Sequence, residues 1–274
     1  MWFLWKAFKK KRKQVKKVKR LLPLLEDPMK AYLDVEQYNN DRQHLEPSTR
    51  IAGDFKLGYY GVVSSDALID GETLAQRIGL EAGVAQCSQA GWFKYQYEGC
   101  VRYVAIKPLR HSLSWLDLFQ AGAVYGQDEP GLDAQGVSTA HPATITLKGI
   151  DYRVKLMQGA RSNPAFDESG SDVPASANAE WNRVFYRLHG RQNDGFNRLD
   201  SEHIDQDWGA YTDREFLCDQ YFGNGTACWT QEQHGSDPNN RVIRGFLGIS
   251  DFHFLPADTR SPDTGWRPVL EPIL

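Results

Sequence analysis

From Ile51 onward the apolar residues arrive in short runs of Val, Ile, Tyr, Phe and Trp, each closed by glycine or another turn former. That texture predicts many short strands. Two stretches are sharper than the rest: WFKYQYEGCVRYVAIKP (residues 92–108) and ATITLKGIDYRVKLMQGA (143–160) each hold two alternating runs around a two-residue turn, Glu98-Gly99 and Lys148-Gly149. Both read as hairpins.

Helical spacing breaks in at three places. GYYGVVSSDALIDGETLAQRIGL starts extended and turns helical, with Asp70 as cap and Leu74, Arg77 and Ile78 continuing the helix. SLSWLDLFQAGAV predicts a helix opened by Ser112 or Ser114, and SANAEWNRVFYRLHGR one that buries Trp181, Val184, Phe185 and Leu188 on a single face. The intervening QDEPGLDAQGVSTAHP reads as a surface loop. Strands with a few helices and no internal repeat make the fold class α+β.

The chain closes on two strand-like runs, VIRG (242–245) and GWRPVL (265–270). Val242 and Ile243 bury on a sheet, Gly245 allows close packing, Gly265 permits the turn back, and Trp266, Val269 and Leu270 return to the core. Arg267 and Pro268 point to an edge or irregular strand, because proline cannot donate to a central ladder. Phe246 to Thr264 is then a long loop on a rigid base. Its exposed Asp251, Phe252, His253, Phe254, Asp258 and Arg260 mix aromatic and polar groups as recognition surfaces do, although Phe252 and Phe254 also suit plain core packing.

At the other end, Leu4, Phe8, Lys11, Val15, Val18, Leu22 and Leu25 are spaced alternately four and three apart, a heptad stripe broken once by lysine. Charge changes its meaning. The chain carries −3 overall, but ten Lys and Arg and no acid lie in the first twenty residues. Removing those ten from 32 leaves 22 basic residues against 35 acidic ones, a net −13. The body should repel polyanions, so any nucleic-acid or anionic-lipid contact falls to the basic N-terminus. Three uses fit that helix: docking on or trimerising with other subunits, lying on a membrane with Trp2 and Trp5 as anchors, or touching packaged nucleic acid. The organisation expected is a basic amphipathic helix over 1–25, a linker or neck over 26–50 and an α+β domain over 51–274. Charge follows the first apolar residues instead of preceding them, unlike a secretory signal, and no run is long enough to span a bilayer.

Candidate chemistry is thin. The seven histidines occur singly, without HExxH or HxH spacing, and neither a GxSxG elbow nor a phosphate loop is present. Cys87, Cys100, Cys218 and Cys228 lack zinc spacing; they read as reduced, with Cys218 and Cys228 the pair to watch. GNGTACWTQE places Cys228 and Trp229 near Glu232 and His234, where a lone cysteine beside tryptophan usually fills space. Trp208, Tyr211, Tyr221, Phe222 and Trp229 lie near Asp207, Asp213, Asp219 and Glu232, the aromatic and acidic mixture that sugar sites and lectin calcium sites use.

The order GYYGVV, AGWFKY, YVAIKPLRHSLSW, GIDYRVKLMQGA, EWNRVFYRL, GNGTACWTQE, NRVIRG and GWRPVLE resembles a C-terminal domain of tailed-phage virion proteins, over roughly Ile51 to Leu274. Its ending also resembles the close of the C-type-lectin-like fold shared by formylglycine-generating enzymes and phage tropism determinants. The resemblance implies a non-enzymatic virion protein, a tail-fibre, baseplate, capsid-fibre or decoration component made in the host cytoplasm. It would carry no cofactor or metal. Its partners would be other virion proteins and a host-surface glycan or protein, and its assembly a homo-oligomer, trimer first. Leu4, Phe8, Val15, Val18, Leu22 and Leu25 would anchor it, while Asp251, Phe252, His253, Phe254, Asp258, Arg260, Trp229 and Glu232 would meet ligand. The alternatives are an enzyme of the formylglycine-generating type and a membrane-surface protein; the first lacks its cysteine pair, since no cysteine follows Cys228.

Overall fold

The computed structural model describes residues 45–126, 142–165, 179–189, 208–209, 211–218, 226–246, 248–249 and 251–273. The expected basic helix with its stripe Leu4, Phe8, Val15, Val18, Leu22 and Leu25, and the expected linker as far as residue 44, lie outside them, as do residues 127–141 of the expected surface loop.

The described chain runs β1 (Ala52–Gly53), β2 (Leu57–Val63), α1 (Gly71–Arg77), β3 (Val84–Ala85), β4 (Trp92–Tyr97), β5 (Cys100–Ala105), β6 (Arg110–His111), α2 (Trp115–Gln120), β7 (Thr144–Leu147) and β8 (Ile150–Lys155). It continues through α3 (Glu180–Leu188), α4 (Asp213–Phe216), β9 (Ala227–Gln233), β10 (Asn240–Arg244), β11 (Phe252–Pro256), β12 (Thr264–Trp266) and β13 (Val269–Pro272). The fold is α+β, mostly strands, with four short helices among the described residues.

Local chemistry explains the element ends. At both hairpin turns the two central residues have positive φ: Glu98 and Gly99 at 51° and 81°, Lys148 and Gly149 at 49° and 79°. Such a turn matches the twist of the strands it joins. Asp70 accepts the Glu72 and Thr73 N–H groups to start α1. Ser114 and Asp117 form a reciprocal capping box on α2.

Two sheets result. The larger has order β1-β2-β4-β5-β13-β8-β7 and is antiparallel throughout; the smaller has order β11-β10-β9-β12-β6-β3, with β9 and β12 its parallel pair. β4 is buried along its whole length, so the larger sheet has a core on each face. Its alternating residues divide accordingly. Trp92, Tyr103, Tyr152 and Leu270 join Leu74 of α1, Trp115 of α2 and Trp229 and Trp266 of the smaller sheet. Phe93, Tyr95, Val104 and Val269 join Trp181, Phe185 and Leu188 of α3 and Phe216 of α4. The expected helical face Trp181, Val184, Phe185 and Leu188 is buried as a unit.

The chain ending differs from the expectation in four respects. Phe246 to Thr264 is not one loop, because it contains β11, which pairs antiparallel with β10 from Asn240↔Pro256 to Arg244↔Phe252. Gly265 is not a turn but sits inside β12, opposite His111. Neither β12 nor β13 is an edge strand. Each lies within its sheet, and Arg267-Pro268 is the step between them. Pro268 therefore escapes both ladders, and its carbonyl accepts the Ala105 N–H. Gly245 is needed for its backbone, at φ 84°, and not for close packing: a Cβ there would meet the Trp181 ring at 3.4 Å, an ordinary contact.

Candidate functional site

A cavity of about 370 Å³ opens beside the terminal hairpin, lined by Ile243, Phe246, His253, Phe254, Leu255, Thr259, Ser261, Asp263 and Thr264. Strand alternation builds one wall. Phe252 and Phe254 turn toward Val242, Ala160 and Ala165, whereas Ile243 and Leu255 belong to or pack on the larger core. His253, directly across from Ile243, is exposed. Its ring meets that of Phe246 edge to face, with centroids 6.0 Å apart.

Segment 257–263 forms the opposite wall and is fastened to the start of α2 at three points. Leu116 N–H donates to the Ala257 carbonyl (3.1 Å), Ser112 N–H to the Ser261 carbonyl (3.2 Å), and Arg260 grips Asp117 with Nε and Nη2 at 2.9 and 2.6 Å. Burial pushes the Asp117 carboxyl up, but Arg260 and Ser114 outweigh it and hold the pKa low. Ser261 Oγ accepts the Asp263 N–H at 3.1 Å, closing the turn into β12. The wall is thus set before any ligand arrives. Asp117→Ala removes the N3 arm of the α2 capping box and the Arg260 fork together, while Ser114 Oγ still caps the residue-117 N–H. We expect a loss of about 1 kcal/mol, read as a lowered urea midpoint, and higher protease sensitivity in segment 257–263.

The sequence-derived site residues separate into groups. His253 and Phe254 line the cavity, and Asp258 is exposed nearby. Arg260 is exposed but engaged by Asp117. Asp251 and Phe252 are corrections: they are 5% and 4% exposed. Phe252 packs edge to face on Phe254 with the Arg244 guanidinium over its ring, so the core reading of that residue holds. Trp229 and Glu232 are corrections too, at 1% and 2% exposed. Trp229 Nε1 donates to the Leu113 carbonyl deep between the layers, and Glu232 accepts from Gly159 N–H and Thr230 Oγ1.

The aromatic and acidic cluster proposed for sugar fares similarly. Trp208 is buried and stacks on Tyr59, while Asp213 is taken up by His189 at 3.4 Å and the Ile249 N–H at 2.9 Å. Asp207, Asp219, Tyr221 and Phe222 lie outside the described residues. Among the described residues no three His, Cys, Asp or Glu side chains gather as a metal site. The cysteine expectation also changes: Cys218 meets Cys87, not Cys228, which is fully buried against Arg267 Nε at 3.3 Å.

Sequence reasoning missed Ile243, Phe246, Leu255, Thr259, Ser261, Asp263 and Thr264 as cavity residues. The period-two run Phe252–Pro256 was the available signal for Leu255, which it places on the same face as His253; Phe254, which packs with Phe252 on the other face, lines the cavity as well. Chemically the cavity offers two phenyl rings and an imidazole, two aliphatic side chains, three hydroxyls and one carboxylate. That is a small binding pocket in which a few polar groups fix orientation. Comparison with protein-family models, with curated proteins and with solved structures finds no match for this chain.

Proposed function

We propose that this chain is a structural component of a tailed-phage virion, anchored by its basic N-terminal helix and displaying a lectin-like domain whose terminal-hairpin cavity holds a host-surface ligand. The observation that carries the binding part is the pre-fastened pocket, lined by His253 and Phe246 together with Asp263, Ser261 and Thr259. A saccharide fits best, because a sugar ring presents its apolar C–H face to an aromatic ring and hydroxyls to a carboxylate. The order of sequence motifs supports the virion assignment, and the uniformly basic first twenty residues support an anchor distinct from the acidic body.

Electron microscopy of purified particles carrying a C-terminal tag tests the assignment. Label on the particle supports it, and particles free of the protein overturn it. For the pocket, full-length protein is screened on a glycan array, and the best binder is then titrated by calorimetry. His253→Ala and Phe246→Ala are each expected to weaken binding about tenfold, equivalent to ~1.4 kcal/mol; the thermal midpoint should change little in His253→Ala, whereas Phe246→Ala, which also loses packing on the core, should lower it. Undiminished binding by both variants would move the ligand site elsewhere.

A further inference from the structure

Cys87 follows β3, Cys218 follows α4, and their sulfur atoms lie 2.9 Å apart although 131 positions separate them in the chain. Both are free thiols and both are partly exposed. Cys87 is one of four non-glycine residues with positive φ among the described residues, at 45°, so its backbone is turned in a way few side chains favour. The surroundings are cationic on one side: Lys107 and Arg267 act on Cys87, and Cys218 Sγ also reaches the Pro108 carbonyl at 3.2 Å. Packing alone does not require two sulfurs in contact at a half-open position.

We infer that Cys87 and Cys218 are a specific cross-linking site, converted to a disulfide by low-molecular-weight disulfides such as oxidised glutathione once the protein leaves a reducing compartment. The Cys87 thiolate attacks one sulfur of oxidised glutathione, forming a mixed disulfide and expelling one glutathione thiolate. The Cys218 thiolate then attacks Cys87 Sγ, forming the intramolecular S–S bond and expelling the second glutathione. Two electrons pass from the protein to the oxidant, and the two thiol protons end on the two glutathione molecules. The neighbouring Cys218 thiol, with Lys107 and Arg267 opposing burial, brings the Cys87 pKa down to about 7, so Cys87 is the attacking member. Burial pushes Cys100 and Cys228 up; Cys218 is raised too, by its bond to Cys87 and by burial, and is released for the second step once the Cys87 thiolate has become the mixed disulfide.

The bond would tie α4 to the turn after β3 and constrain the unfolded chain across a long loop. The site is independent of the hairpin cavity and stands whichever ligand that cavity takes.

Full-length protein, fully reduced and then equilibrated with oxidised glutathione, tests the inference. Free thiols should fall from four to two and the intact mass by two hydrogens. Peptide mapping should place the bond at Cys87–Cys218, and the thermal midpoint should rise by on the order of 5–10 °C over the reduced form. In Cys218→Ser the exchange should stop at a glutathione adduct on Cys87. Four thiols surviving in the wild-type protein, a stable glutathione adduct there, or a bond mapped to Cys218–Cys228 would each overturn it.

Discussion

Glu180→Ala is expected to destabilise the body by about 3–5 kcal/mol, measured as the change in urea unfolding free energy at pH 7. Glu180 opens α3 and its carboxylate is completely buried. It accepts from the Tyr95 hydroxyl at 2.8 Å, from Arg102, and from the Gln158 N–H at 3.3 Å. Arg102 also meets Glu271 at 2.7 Å, and Glu271 meets Lys155 at 2.6 Å. Two carboxylates thus hold Arg102 and Lys155 between β5, β8, β13 and α3, with the more exposed Arg153 also 3.7 Å from Glu271. Without Glu180, Glu271 alone is left to these cations, and a buried hydroxyl and amide lose their acceptor.

Glu180→Gln, which keeps an acceptor and drops only the charge, should cost less. Burial drives the Glu180 pKa up, but Arg102, Lys155 and Tyr95 outweigh it and hold it below the ordinary carboxylate range. Glu271 is lowered by Lys155 and Arg102 against its own burial. Such groups stabilise the fold above the unfolded carboxylate pKa of about 4.3, and that contribution fades as pH falls through their folded values. The acid limb of the stability profile should consequently be shallower in Glu180→Gln. A loss under about 1 kcal/mol in Glu180→Ala would mean that the network adds nothing beyond packing.

What the sequence made legible was local, and what it hid was long-range. The turns at Glu98-Gly99 and Lys148-Gly149 and the Asp70 cap depend on residues two or three positions apart, so their chemistry is written in adjacent letters. Alternation exposed the hairpins around them for the same reason. β11 was obscured because its short run lies within a stretch of polar and turn residues, and only its pairing with β10 makes it a strand. Trp229 and Glu232 resembled ligand groups because aromatic and acidic letters look alike on a surface and in a core. Their burial is decided by Leu113 and Gly159, distant in sequence. The cavity is half legible: its hairpin wall follows from period-two alternation, but the fastening of segment 257–263 to Ser112, Leu116 and Asp117 spans well over a hundred residues.

Glu232 titrates in the opposite sense from Glu180, and Glu232→Gln should reveal it. Both carboxylates are fully buried, yet the donors around Glu232 are neutral: the Gly159 N–H at 2.9 Å and the Thr230 hydroxyl at 3.0 Å. Gly159 presses so closely that a Cβ there would lie 2.4 Å from Thr230 Oγ1, which leaves no room for a side chain beside the carboxylate. Burial dominates these dipoles and pushes the Glu232 pKa up to about 7. With a folded value above the unfolded one of about 4.3, the stabilising contribution is complete at pH values below the latter. It is lost as pH rises through 7, a change of about 4 kcal/mol in all. Glutamine keeps an oxygen acceptor for the same donors and cannot ionise, so the variant escapes that loss. The stability of Glu232→Gln relative to wild type should rise between pH 5 and pH 8 by up to about 3 kcal/mol, read from urea unfolding of both proteins at each pH. A constant difference across that window would mean that Glu232 ionises in the core as readily as in water, and that the neutral dipoles of Gly159 and Thr230 suffice to hold its charge.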